Sequence, residues 1–268
     1  MEKIIVLGTG AGTVYESYNT CFVMESNDEN YFLVDTGGGG EILKQLRRAN
    51  IDPNRVRDVF ISHKHIDHSH GAIWIFRNAD LAMKRGAYEG ILNFYCNDEV
   101  AEILKHQVYT LLREGQRQFL GKRIFINTVN DRGHFYVGNY EIEAIDLKSQ
   151  IAKQFGFKMA LNNGKKLVFT GDEALTNELQ GEFAGYDWLL HEAYCLESES
   201  AQYNPQRLGH STVAAVSQKA EELGIKNLVL WHSREYPDGN RKELFEAEAK
   251  QFYSGNIYAP NDLDIIEL

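Results

Sequence analysis

Histidine and aspartate recur in the run His63-Lys64-His65-Ile66-Asp67-His68, a spacing suited to holding metal ions. In an extended stretch, residues two apart share a face, which sets His63 beside His65. Neutral imidazole is a preferred zinc ligand at ~2.0–2.1 Å, and a carboxylate two residues on can serve the same or an adjacent ion. His63 and His65 therefore suit one metal, with Asp67 and His68 available to another. The competing reading is a solvated turn that is histidine-rich by accident. Histidines ordered around an aspartate argue against it. His70 lies beyond the pattern, where it caps or opens the following helix, and is left out of the site.

Other segments must complete such a site. The strand-like run DVFIS ends where the cluster begins, and ligands of open α/β sheets collect beyond the C-terminal ends of strands. Two further strand-like runs end on suitable residues: KLVFTGD on Asp172, and NLVLWHS near His232. Each alone reads more readily as an ordinary turn aspartate or a core histidine. With the cluster, they bring donors from three strand ends to one place, as a two-metal site needs.

The elements that must position these residues are legible from periodicity. KIIVLG, TCFVME and YFLVD are short apolar runs separated by Gly, Asn and Asp, as in a strand meander. EILKQLRRAN has helical spacing, and two more helical runs flank the strand LNFYC, with Asn97 and Asp98 offering an N-cap to the second. From Arg123 strands return, with Asn162, Asn163 and Gly164 as a hairpin turn. The last third alternates strand and helix and closes on a pair of short strands. Strands that meander and then alternate with helices, twice over, predict two packed sheets with helices on the outer faces. No Pro-rich linker, low-complexity segment or long repeat divides residues 1–268, so one domain is expected.

An apolar content of 43% with 25% charged residues suits a globular chain with a sizeable core. The net charge of −10 opposes nonspecific binding to nucleic-acid backbones or anionic lipid. No stretch approaches the ~18 apolar residues of a membrane span, and the first residues lack a signal-peptide pattern, so a soluble cytoplasmic protein without membrane partners is expected. Cys21, Cys96 and Cys195 are far apart and lack C-x-x-C spacing, which points to buried thiols.

The order VLGTGAG, YFLVDTGGG, SHKHIDH, FTGD, LLHEAY, GHST and LVLWHS resembles the metallo-β-lactamase superfamily, and within it the ribonuclease Z-like branch of metal-dependent hydrolases. The resemblance implies an α/β (α+β) fold, a four-layer αββα sandwich with its metal pair at one edge between the sheets. It implies that His63 and His65 hold the first metal, that Asp67, His68 and His232 hold the second, and that Asp172 bridges them. Zinc is the expected metal, as one or two ions, with manganese or iron as alternatives. Two such ions lower the pKa of a shared water, whose hydroxide attacks, and stabilise both the attacking and leaving oxygens. By the same resemblance Asp67 takes up the water's proton, His210 stabilises or protonates the leaving oxygen, and Glu192 orients His210. The plainer alternatives are that Glu192 caps a strand and that His210 merely precedes a helix capped by Ser211 and Thr212.

Two departures matter. Relatives carry a third histidine ligand to the first metal a few residues before an aromatic-Gly-aromatic element. Here that element is Phe155–Phe157, and EAIDLKSQIAKQ before it has no histidine. Lys148 or a neighbour stands in that place. Lys148 then replaces the first metal electrostatically by pairing with Asp172, or Asp146 supplies an oxygen ligand, or Lys148 is a surface lysine. His134 falls too early, in an expected hairpin turn. The second departure is that only 15 residues separate Gly156 from Asp172, with no room for the arm by which ribonuclease Z enzymes grip transfer RNA.

The expected function is a metal-dependent hydrolase, foremost a phosphodiesterase acting on a small-molecule or single-stranded nucleic-acid substrate, with transfer RNA disfavoured. Hydrolysis of a lactone or thioester on the same fold is the alternative, since a fold fixes metals and not substrates. A catalytically weakened binding or sensor module is the third reading. A di-iron oxidoreductase is disfavoured, because such relatives place Glu where His65 stands and append a flavin domain. A homodimer is compatible with the resembling branch.

Overall fold

The computed structural model describes residues 2–25, 30–236 and 238–268, apart from the side chains of Asn177 and Gln180. The chain opens as the expected meander: β1 (Lys3–Gly8), β2 (Cys21–Glu25) and β3 (Tyr31–Val34) pair antiparallel in turn. Helix α1 (Glu41–Arg48) then carries the chain to β4 (Val56–Ile61), parallel to β3. The short α2 (Ile66–Ser69), α3 (Ala72–Lys84), β5 (Leu92–Cys96), α4 (Asp98–Leu111) and β6 (Ile124–Thr128) continue the parallel half. Asn97 caps α4 as its type suggests, its side-chain oxygen accepting from Val100 N at 3.1 Å.

The second half repeats the plan. β7 (His134–Val137), β8 (Tyr140–Asp146), β9 (Phe155–Ala160) and β10 (Lys166–Phe169) form an antiparallel meander. The turn between β9 and β10 is the anticipated tight one, with Leu161 N on Lys165 O at 2.8 Å and Gly164 at φ +81°. After α5 (Asn177–Gln180) come β11 (Trp188–Glu192), α6 (Ser200–Tyr203), α7 (Val213–Glu222), β12 (Asn227–Trp231) and α8 (Arg241–Ala249). β10, β11 and β12 are parallel, and every residue of β11 and β12 is buried, as strands covered on both faces must be.

The closing strands do not pair with each other. β13 (Asn256–Tyr258) extends the second sheet beside β12, while β14 (Ile265–Glu267) crosses to the first sheet and pairs antiparallel with β1. Among the described residues the sheets run β14-β1-β2-β3-β4-β5-β6 and β13-β12-β11-β10-β9-β8-β7. Aromatic side chains fill the space between them: Phe22 stacks on Trp231 at 5.0 Å, and Phe60 meets Phe157 edge-on at 5.3 Å. Each such side chain contributes roughly 1.5–3 kcal/mol by leaving water. Outside the first sheet, Ile42, Phe76 and Leu104 of α1, α3 and α4 form a second apolar cluster. Outside the other, Val216 and Phe245 of α7 and α8 form a third. Helix, sheet, sheet and helix layers follow, the αββα sandwich expected from the sequence. The three cysteines are buried free thiols. No described helix is long and apolar enough to cross a membrane.

Candidate metal centre

Strand ends deliver the site. Beyond β3, Asp35 turns out of the strand at φ +55°, and its backbone N–H still reaches Phe60 O of β4 at 2.8 Å. Beyond β4, Ser62, His63 and Lys64 lead to His65, the N-cap residue of α2, so Asp67 and His68 enter on one helical turn. This close packing depends on Gly71, where a Cβ would meet Thr36 O at 2.0 Å. Beyond β10, Gly171 adopts φ +61° and releases Asp172, whose N–H donates to Gln154 Oε1 at 2.8 Å. Beyond β12, His232 stands at φ +55°, locked by Ser233 N–H on Thr9 O at 3.1 Å across the sheet interface.

All six expected ligands are brought together. Ligand atoms of His63, His65 and Asp172 lie within 4.8 Å of one another, as do those of Asp67, His68 and His232. The two groups share an edge through Asp172, whose Oδ2 is 3.5 Å from His63 Nε2, 3.4 Å from His68 Nε2 and 3.4 Å from His232 Nε2. Only His65 among the six is not buried.

The residues fit a cation. His68 Nδ1 faces Asp35 Oδ2 at 2.8 Å, so its ring proton goes there and its Nε2 lone pair turns inward. That Nε2 faces His232 Nε2 at 3.1 Å and Asp67 Oδ2 at 3.5 Å. Lone pairs and carboxylates facing one another out of water call for positive charge. His68 shows this field: burial pushes its pKa down, yet Asp67, Asp35 and Asp172 outweigh burial and raise it well above the usual range. Burial likewise opposes the ionised forms of Asp67 and Asp172, but neighbouring histidines hold both below the usual carboxylate range. Burial pulls His63 down. Imidazole nitrogens and carboxylate oxygens with no thiolate form a donor set for zinc or a similar divalent ion.

His210 sits beside this cluster. Its Nδ1 lies 3.0 Å from Asp172 O and 3.6 Å from Glu192 Oε2, and its ring stacks on Tyr194 at 5.3 Å. Burial and His232 push its pKa down to about 4. Burial raises the fully buried Glu192, whose Oε1 accepts from Ser211 N–H at 2.7 Å. Glu192 thus ties the His210 segment to the end of β11, while Thr212 Oγ1 caps α7 through Ala215 N–H.

Lys148 does not act on Asp172. It takes up φ +58°, which turns its ammonium to Asp146 Oδ2 at 3.2 Å and Asp131 Oδ2 at 3.3 Å. Asp146 is committed to the same turn, its Oδ1 accepting from Lys148 N–H at 2.9 Å, so neither residue joins the cluster. His134 opens β7 and pairs with Glu141 instead of lying in a turn. His70 is exposed at the end of α2. Three participants escaped the sequence reading. Asp35 orients His68. Ser62 donates its hydroxyl to Asp35 and accepts from His63 Nδ1 at 3.0 Å. The backbone N–H of Gly12 donates to Asp67 Oδ2 at 2.8 Å. An aspartate ending YFLVD before a glycine run was the one available signal, and its partners are set by tertiary contact.

Residues 30–233, a span holding every ligand described, match the family model of the β-lactamase superfamily domain. The chain belongs to the β-lactamase superfamily. Within the superfamily, ribonuclease Z of Pseudomonas putida strain W619 is 25% identical over 305 aligned positions, covering 97% of this chain and 94% of that protein. Because 305 positions are aligned against 268 residues, at least 37 of them have no counterpart here. The metallo-β-lactamase fold protein YhfI of Bacillus subtilis superposes with a TM-score of 0.76 over 100% of both chains, at 19% identity. The short form of human tRNase Z superposes with a TM-score of 0.75 over 99% of this chain and 98% of that one, at 18% identity. These two likenesses show the shared fold.

Proposed function

We propose that the protein is a metal-dependent phosphodiesterase of ribonuclease Z type, acting on small or single-stranded phosphodiesters with zinc as its metal. The observation that carries this reading is that His68 and His232 lie within 3.1–3.6 Å of each other and of both Asp67 and Asp172, flanked by His63 and His65. The likeness to ribonuclease Z supports the substrate class. His63, His65 and Asp172 would hold one ion, and Asp67, His68 and His232, again with Asp172, the other. Divalent ions bound there supply Lewis acidity for the phosphate and a water of lowered pKa.

The chain's own groups do the rest. Asp35 and Ser62 fix the tautomers of His68 and His63, so that Nε2 of each ring presents a lone pair. Gly12 N–H holds Asp67 Oδ2, leaving that ionised carboxylate to accept a hydrogen bond from the attacking water and pass its proton on. His210 directs its free edge away from the Asp172 carbonyl and serves the leaving oxygen, and Glu192 positions the His210 segment.

Hydrolysis of bis(4-nitrophenyl) phosphate tests the reading. Chelation should abolish turnover, added zinc should restore it, and Asp67→Ala should lower it by more than about 100-fold, beyond what loss of a supporting partner usually costs. Metal-stimulated turnover of a lactone or thioester with none of the phosphodiester would overturn the substrate class.

A further inference from the structure

Three groups of ligand atoms form, the third being Asp172, His210 and His232, and the two that hold the expected ligands are unequal. Asp67, His68 and His232 with Asp172 make four donors, whereas His63 and His65 with Asp172 make three, one of them on His65, the least buried of the six. In the resembling branch the remaining donor comes from just before the aromatic-Gly-aromatic element, here the loop between β8 and β9, which carries no histidine. That loop lies against the first group: Phe155 N–H donates to Ser62 O at 2.9 Å, and Asn97 Nδ2 donates to Lys153 O at 3.1 Å. Asp146 is bound to Lys148 and unavailable.

Among the described residues, one further carboxylate lies against that loop. Glu173 follows Asp172 directly and is half-buried between the loop and the backbone of Gly209, where a Cβ would stand 3.5 Å from both of its carboxylate oxygens. It accepts from the Ser149 hydroxyl, and from Gln154 Nε2 at 3.4 Å. Gln154 is the same side chain whose Oε1 holds Asp172 N–H. Ser149 in turn is fixed by Ile151 N–H at 3.1 Å. In this arrangement Glu173 is in none of the ligand groups, but both of its side-chain partners are neutral donors. A dication outcompetes such donors for a carboxylate, since a full opposite charge attracts it more strongly than a dipole does.

We propose that Glu173 supplies the donor the first site lacks, turning from Ser149 and Gln154 to the ion held by His63, His65 and Asp172. The inference rests on the metal-dependent reading above and deepens it. A carboxylate in place of an imidazole makes the first site richer in oxygen and negative charge, and such sites accept manganese more readily than imidazole-rich ones. The two positions should therefore differ in metal preference, zinc at the second and zinc or manganese at the first.

Equilibrium dialysis of the full chain against zinc, and against manganese, with elemental analysis, tests this without reference to turnover. Wild type should hold two ions. Glu173→Ala and Glu173→Gln should keep one zinc ion at unchanged affinity and bind the other more than about 100-fold more weakly, beyond the usual cost of losing a supporting partner. The metal-free melting temperature of each variant checks the fold, and the isosteric Gln variant serves if Ala proves unstable. Two ions held with Glu173 removed, a weakening of less than about 100-fold, or a wild-type chain holding a single ion would each overturn the proposal. A chain that holds no ion would instead defeat the metal-dependent reading itself.

Discussion

In the role proposed for it, His210 would meet the substrate as a neutral ring. Its Nδ1–H is committed to the Asp172 carbonyl, and burial with the neighbouring His232 pushes its pKa down to about 4, so at neutral pH Nε2 carries a lone pair. A proton must be loaded there when a negatively charged phosphodiester arrives and offsets the cost of an imidazolium. The residue should then matter in proportion to how much the leaving oxygen needs a proton. His210→Ala is expected to slow an alkyl phosphodiester by about 10²–10⁴-fold, the usual worth of general acid catalysis, while leaving 4-nitrophenyl esters little changed. The kcat for the two substrate classes checks it, and equal losses on both would assign His210 to binding. The same neighbourhood shows where sequence reading stops. His63, His65, Asp67 and His68 are legible because their spacing is local. Asp35 is not, because its partners Ser62 and His68 lie 27 and 33 residues away. Of the roles open to Lys148, the surface one is realised, because a positive φ, invisible in residue type, points it at Asp131 and Asp146.

At the scale of elements, the segment after β12 that carries His232 is anchored from the side. Glu199, at the start of α6, binds the Arg234 guanidinium through Oε1, and through Oε2 accepts from Tyr236 OH at 2.5 Å and Leu196 N–H at 3.1 Å. Glu235 extends the anchor to the loop after β1, accepting from Tyr15 N–H at 2.5 Å and the Ser17 hydroxyl at 3.0 Å. Burial raises the pKa of Glu199, but Arg234 and Tyr236 outweigh it, so the folded value lies below the ordinary one. A group of depressed folded pKa contributes stability above its unfolded pKa of ~4.3 and loses it as pH falls through the folded value. Glu199→Gln should therefore cost about 1–2 kcal/mol at pH 7 and progressively less below ~4.3. Thermal unfolding of the metal-free proteins across that range checks it, and parallel curves would remove the ion pair from the account. Elements themselves were mostly legible, because runs such as NLVLW and YEIEAID carry strand patterning in their own residues. The allocation of β13 and β14 to different sheets was not, since each is three residues long and pairs with a strand fixed elsewhere.

On the scale of the molecule, two meander-and-crossover halves place their strand ends side by side, so one edge of the sandwich collects every expected ligand while the aromatic core between the sheets fixes their spacing. What this chain does not build around that edge bears on its substrate. β9 and β10 are joined by a tight turn, and the net charge is −10. A long polyanion bound through many phosphates would need cationic side chains to neutralise it, and would show a fall of about 10³–10⁵ in affinity between roughly 50 and 200 mM salt for 6–10 contacts. A small diester held at one phosphate releases few counterions. The kcat/KM for bis(4-nitrophenyl) phosphate should thus change by less than about tenfold over the same range. On the proposed small-diester reading, excess precursor transfer RNA should leave that hydrolysis unaffected. Competitive inhibition by the RNA at substoichiometric levels, relieved by salt, would show that a basic surface elsewhere on the molecule replaces the missing arm.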